Sequence, residues 1–278
     1  MTSPPDWSRR ETRYSKVAAG CDFPESAPFI KEMLLPVRLP LFSCFLLAAL
    51  PGSVGAAPAT IVVFGDSTTA EDSTLTVYGR LLEESLNARS PGAVKVVNAG
   101  VRGDTTAAAA LRFESDILPA APDLVVIQFG INDATIDVWK QPPATGPRVA
   151  LAGYRANLAG FIAALRARGV RVVLMTPNPL SWTPRLVELY GHPPYDPRDP
   201  AGLNINLARY AAAMRELATE TQVPLVDIWR AHQAERGTAA EPLLSDGMHP
   251  NARGHALVAR LLAGTIVTQQ LLPGTASR

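Results

Sequence analysis

From residue 60 onward the chain alternates short β-branched runs with longer segments of helical period. That alternation restricts the fold more than any other feature. Ile61-Val62-Val63-Phe64, Val94-Lys95-Val96-Val97, Leu124-Val125-Val126-Ile127, Val170-Arg171-Val172-Val173-Leu174 and Leu225-Val226 read as five strands. Their hydrophobicity is continuous rather than alternating, as expected of strands covered on both faces. Helices are predicted over roughly residues 75–88, 105–118, 150–168, 204–221 and 251–270. In the third, Leu151, Tyr154, Leu158, Ile162 and Leu165 recur at three- and four-residue spacings, and Gly169 stands where a helix-ending glycine would. Such alternation with short links makes an α/β fold, a parallel five-stranded sheet between two helical layers. Residues 176–203 break the pattern, with seven prolines and no clear period. They are predicted to be a long structureless connection, of the kind that usually serves function.

The first sixty residues differ from the rest. Residues 1–32 are polar and contain prolines, without an apolar period. Met33, Arg38, the apolar run Leu41–Leu50 and the small residues Val54-Gly55-Ala56-Ala57 then follow in the order of a secretory signal peptide. The apolar run is shorter than the roughly 20 residues a spanning helix needs. Translation is therefore expected to begin at Met33, with 1–57 an extension and leader and 58–278 the functional domain, secreted or periplasmic and free of stable membrane insertion. Cys44 lies inside the apolar run rather than after it and is not read as a lipid-attachment site. The two cysteines, Cys21 and Cys44, precede the expected cleavage point. The mature protein would hold neither disulfide nor thiol nucleophile. A net charge of +1 gives no sign of a nucleic-acid partner.

In parallel α/β sheets ligands bind beyond the carboxyl ends of the strands. Gly65-Asp66-Ser67-Thr68 follows the first strand, Asn98-Ala99-Gly100-Val101-Arg102-Gly103-Asp104 the second, and Gly130-Ile131-Asn132-Asp133 the third. Asp246-Gly247-Met248-His249-Pro250 precedes the last helix. These four segments, in this order, resemble the four blocks of the SGNH (GDSL-type) hydrolases. The fourth residue of the first block is often Leu in that family and is Thr68 here. The resemblance implies a flavodoxin-like three-layer sandwich and a serine esterase without a cofactor. It also implies an oxyanion hole from the Ser67 N–H, the Gly103 N–H and the Asn132 side-chain amide, with Gly100 as the rival glycine in its loop.

The residue types support the same chemistry. A serine hydroxyl needs a base to take its proton, and His249 is the natural one. Asp246, three residues earlier, can reach the other ring nitrogen and fix its tautomer. Asp66, Asp104 and Asp133 are expected to bond backbone amides within their loops. Trp139, Trp182, Tyr190 and Tyr195, near Arg148, Arg185 and Arg198, could line a cleft for a sugar or polar acyl acceptor. Of these, Trp139, Trp182 and Tyr195 are the substrate-binding candidates. The expected substrate is a short-chain or acetyl ester, small or carried on a carbohydrate. A lysophospholipase or thioesterase of the same family stays open. So do a metal-dependent phosphoesterase built on the three aspartates, for which few histidines are available, and a non-catalytic glycan-binding module. No metal ligand set is assigned, and the oligomeric state is not indicated.

Overall fold

The computed structural model describes residues 57–88, 91–236 and 242–273. The extension, the expected leader and the Met33 start lie outside them. Five parallel strands form one sheet in the order β2-β1-β3-β4-β5: β1 (Ala59–Gly65), β2 (Val94–Gly100), β3 (Leu124–Gln128), β4 (Arg171–Met175) and β5 (Leu225–Val226).

Within β1, Val62 and Phe64 face one helical layer and Ile61 and Val63 the other, all four fully buried. That two-sided burial is why the strand reads as a continuous apolar run. On the first face lie α2 (Thr106–Ile117), α4 (Leu151–Arg166) and α6 (Leu207–Thr221). The second face carries α1 (Tyr78–Asn87) and α8 (Ala252–Thr268). All five predicted strands and helices are present, with ends shifted by up to three residues. Thr105 caps α2 through Ala108 N–H at 3.2 Å, and Asn251 caps α8 through Gly254 N–H at 3.0 Å. Short helices complete the chain: α3 (Ile131–Ala134), α5 (Pro184–Tyr190) and α7 (Ile228–Arg236).

Segment 176–203 corrects the sequence expectation. Rather than a structureless connection, it contains α5, capped by Thr183 with Pro184 at its first turn. Its aromatics Tyr190 and Tyr195 are buried, with ring centres 5.8 Å apart, edge to face.

Two buried networks fix the sheet edge that carries the strand-end segments. Phe64 sits edge-on to Phe113, Phe129 and Phe161, at centroid distances of 5.9, 5.0 and 5.4 Å. It thereby anchors the end of β1 immediately before Asp66 and Ser67. On the other face, His255 of α8 accepts the Tyr78 N–H at 3.2 Å, and the Tyr78 hydroxyl meets Thr69 Oγ1 at 2.9 Å. Burial pushes the His255 imidazole down to about 4. Its folded-state value lies below the unfolded one, so its contribution is intact above about pH 6.5 and is lost as pH falls toward 4. The loss is on the order of 3 kcal/mol. His255→Asn, which can keep an acceptor near Nδ1 but binds no proton, should flatten the acid limb of a denaturant-midpoint profile between pH 6.5 and 4. A limb as steep as the parent's would rule out His255 as its source.

Candidate active site

The turn after β1 presents Ser67. Asp66 is buried; its Oδ1 accepts the Thr68 N–H at 2.9 Å and the Thr68 hydroxyl at 2.8 Å, and its backbone carbonyl accepts from Thr69 and Ala70. Thr68 also reaches Gln128 Oε1 at 3.1 Å. The residue that departs from the family's usual leucine is thus satisfied internally. Ser67 itself is only half-buried.

Across the site, Leu244 and Pro250 form an antiparallel bridge, and Ser245 N–H donates to the His249 carbonyl at 2.9 Å. Gly247 has φ +88°, and a Cβ there would come within 2.3 Å of the Ser181 carbonyl oxygen. Only glycine permits that approach. Ser181 N–H donates to the Gly247 carbonyl at 2.8 Å, and Asn178 Nδ2 donates to the Met248 carbonyl at 3.0 Å. The segment after β4 therefore holds the Asp246–Pro250 turn in place.

Ser67 Oγ lies 3.0 Å from His249 Nε2, and His249 Nδ1 lies 2.7 Å from Asp246 Oδ2. Asp246 Oδ1 accepts the Met248 and His249 N–H groups at 2.9 and 2.8 Å. Partial desolvation pushes the Asp246 carboxyl up. The His249 and Met248 donors more than offset it and hold the group below the usual carboxylate range. An ionised carboxylate accepts from Nδ1–H, which leaves Nε2 unprotonated toward Ser67.

The expected oxyanion donors stand as follows. Among the described residues, the Ser67 and Gly103 N–H groups have no internal hydrogen bond. The Gly100 N–H is spent on Asn98 Oδ1 at 2.9 Å, so the rival glycine has no donor left. Gly103 adopts φ +77° with open space around its Cα. That positive φ is one that glycine adopts without strain. Asn132 is buried in α3, its Oδ1 accepting from Arg148 at 3.0 Å and its Nδ2 without a partner.

The three strand-end aspartates each accept internal donors. Asp133 Oδ1 takes the Thr106 N–H and hydroxyl at 2.9 and 2.6 Å, and Asp104 pairs with Arg112 at 2.7 Å. Burial pushes Asp66 and Asp133 up to about 6, against their hydrogen bonds to Thr68 and Thr106. Among the described residues, no group of three or more His, Cys, Asp and Glu is placed to hold a metal ion.

The aromatic candidates separate. Tyr195 is buried, and its hydroxyl accepts the Ile136 N–H at 2.8 Å. Trp182 is half-buried and spends its indole N–H on the Asp199 carbonyl at 3.0 Å. Trp139 is 47% exposed, with Lys140 Nζ 5.7 Å from its ring centre. The expected aromatic recognition surface is therefore corrected by the loss of Tyr195, leaving Trp139 and the half-buried Trp182 as its candidates. Arg185 and Arg198 are engaged with Glu188 and Asp196.

The GDSL-like lipase/acylhydrolase family matches residues 63–257, a span that takes in the three strand-end segments and the Asp246–Pro250 turn. The chain belongs to this family. It is accordingly an esterase or acylhydrolase acting on carboxylic esters. This GDSL hydrolase is 30% identical over 220 residues to the uncharacterized lipoprotein YqeF of Bacillus subtilis, covering 76% of this chain and 88% of that protein. It is 28% identical over 171 residues to an acetylxylan esterase of Geobacillus stearothermophilus, covering 60% of this chain and 69% of that one. The crystal structure of the lipase/acylhydrolase from Enterococcus faecalis superposes with a TM-score of 0.61 at 27% identity, covering 79% of this chain and 100% of that one. Among the described residues, no helix of the GDSL hydrolase is long and apolar enough to cross a membrane.

Proposed function

We propose that Ser67 is the nucleophile, His249 the general base and Asp246 the residue that orients it, and that the enzyme removes acetyl or similarly short acyl groups from an alcohol, including a sugar hydroxyl. The observation that carries this reading is the contact chain Ser67–His249–Asp246, at 3.0 and 2.7 Å; the unspent Ser67 and Gly103 N–H groups and Asn132 Nδ2 support it. Ser67 Oγ attacks the ester carbonyl carbon while its proton passes to His249 Nε2. The carbonyl oxygen becomes an anion and is held by the Ser67 and Gly103 N–H groups and the Asn132 amide. The carbon–oxygen bond to the alcohol breaks, and His249 returns the proton to the departing oxygen. Water, deprotonated by the same imidazole, then releases the acid and frees Ser67.

A small, mostly apolar cavity close in the chain to the site residues supports a short acyl group. Ile131, Ala134, Leu180, Tyr195, Leu203 and Met248 are among its lining residues. Ile131 and Met248 are the chain neighbours of Asn132 and His249. The cavity has about 10 Å³ of free space, room for one water-sized group. The likeness to an acetylxylan esterase, together with the exposed face of Trp139, supports a carbohydrate as the alcohol side. We further propose that residues 1–57 are an extension and an export leader that begins at Met33, and 58–278 the hydrolase domain, a reading in keeping with a relative named as a lipoprotein.

The chain-length profile tests the substrate class. Across p-nitrophenyl esters, kcat/KM should peak at acetate and fall by about tenfold or more once the acyl chain gains two methylenes. A kcat/KM that climbs steadily to octanoate would replace this reading with a long-chain acyl hydrolase.

A further inference from the structure

Asn132 can serve an oxyanion only if its amide points the right way. Its oxygen and nitrogen are nearly alike in shape, and a flipped amide would present an acceptor to a developing negative charge. The Asn132 carbonyl meets Arg148 Nη1 at 3.0 Å, and a guanidinium carries donors only. That contact forces Oδ1 toward Arg148 and leaves Nδ2, buried and unpartnered, as the unspent donor end.

Arg148 is itself held. Its Nε lies 3.1 Å from both oxygens of Asp137, and its Nη2 lies 2.7 Å from Oδ1. The Asp137 side chain is 3% exposed and also pairs with Lys140 Nζ at 2.7 Å. Burial pushes the Asp137 carboxyl up, but the Arg148 and Lys140 contacts outweigh it and keep the group below the usual carboxylate range. The backbone joins the same parts: Arg148 N–H donates to the Thr135 carbonyl at 3.0 Å and Val149 N–H to the Asp133 carbonyl at 3.1 Å. All three guanidinium nitrogens are thus spent inside the protein. The sequence expectation that Arg148 would face a polar acyl acceptor is corrected accordingly.

We infer that Arg148, clamped by Asp137, is a positioning residue that locks the Asn132 amide with its N–H toward the oxyanion. The inference rests on Asn132 acting as an oxyanion donor, as proposed above. The guanidinium also withdraws electron density through the amide, which strengthens Nδ2–H as a donor. The stabilisation is realised as charge develops, so it belongs to the transition state.

The experiment compares Arg148→Met, Asp137→Asn and Asn132→Ala, alone and combined, on p-nitrophenyl acetate. Removing the donor itself should lower kcat by about 10²–10³. Arg148→Met should lower kcat by about 10- to 100-fold, with KM within about threefold, because the donor remains but is no longer held. In the Asn132→Ala background, Arg148→Met should cost less than about twofold, since no amide is left to orient. Affinity for an acetyl trifluoromethyl ketone, which forms a tetrahedral adduct, should fall in step with kcat/KM. Lys140 still pairs with Asp137 in Arg148→Met, so the buried carboxylate keeps a cation. If that variant nonetheless fails to fold, Asp137→Asn carries the same test, with a smaller kcat loss that also vanishes in the Asn132→Ala background. A rise in KM alone would make Arg148 a substrate-binding cation and overturn the inference. So would losses that multiply independently with Asn132→Ala. Wild-type kcat in Arg148→Met beside a damaged Asn132→Ala overturns the inference but leaves the esterase site standing. Wild-type kcat in Asn132→Ala removes the oxyanion reading itself.

Discussion

Ser67→Ala and His249→Ala are each expected to lower kcat/KM by about 10⁴–10⁶, and the double variant should be scarcely worse than either single one. The reason is the 3.0 Å contact between Ser67 Oγ and His249 Nε2. The hydroxyl is a useful nucleophile only while the imidazole accepts its proton, and the imidazole has nothing to accept once the hydroxyl is gone. The two residues therefore form one functional unit, and the residual rate should be that of the oxyanion donors and substrate binding alone. An alkyl phosphonate directed at serine hydrolases should add to a single residue, Ser67, and mass spectrometry of the peptides locates it. Full turnover by Ser67→Ala, or an adduct elsewhere, would bring the metal-dependent alternative forward.

The sheet was legible because its burial is two-sided. Ile61, Val62, Val63 and Phe64 are all fully enclosed, so the period that separates inside from outside vanishes and a run of β-branched residues remains. The strand-end rule then selected the segments that carry Ser67, Gly103 and Asn132, and the turn before α8 supplied Asp246 and His249. What it could not give was α5. That helix is seven residues long, and beside the Thr183 cap and Pro184 its buried face is the single pair Leu186 and Tyr190, too short a repeat to show as a period. The Thr-Pro pair was the available signal, and the surrounding prolines hid it.

The aromatic residues misled for a different reason. Tyr195 carries a hydroxyl that the fold uses to satisfy the Ile136 N–H, so its polar end needs no ligand and its ring can be buried. Arg148 stands 16 residues after Asn132 and 11 after Asp137, separations with no local period. Its partners are set by how the stretch between α3 and α4 folds back, which one-dimensional pattern does not carry. The same holds for Asp133, which ties α3 to the start of α2 through Thr106 and so links the Asn132 and Gly103 elements.

Asp246→Asn should cost more than Asp246→Ala. The Asp246 Oδ1 accepts two backbone N–H groups, from Met248 and His249, while Oδ2 faces His249 Nδ1 at 2.7 Å. In the asparagine variant the side-chain oxygen must stay with the two backbone donors, which have no other partner there. The amide NH2 is then directed at Nδ1 and stabilises the imidazole tautomer whose proton sits on Nε2. That ring can no longer take the proton from Ser67, and kcat should fall by up to about 10⁴. Alanine removes the orienting group but imposes no wrong tautomer. The Asp246 side chain is 55% exposed, so water can reach Nδ1 and accept from it. The alanine variant should therefore retain more turnover than the asparagine variant, with KM little changed in both. Steady-state kinetics at one pH, with the thermal midpoint measured in parallel, decides the order. An asparagine variant as active as the parent would show that the carboxylate neither sets the tautomer nor stabilises the imidazolium. Alanine falling below asparagine would show that the turn hydrogen bonds from Met248 and His249, which asparagine keeps, outweigh the imposed tautomer.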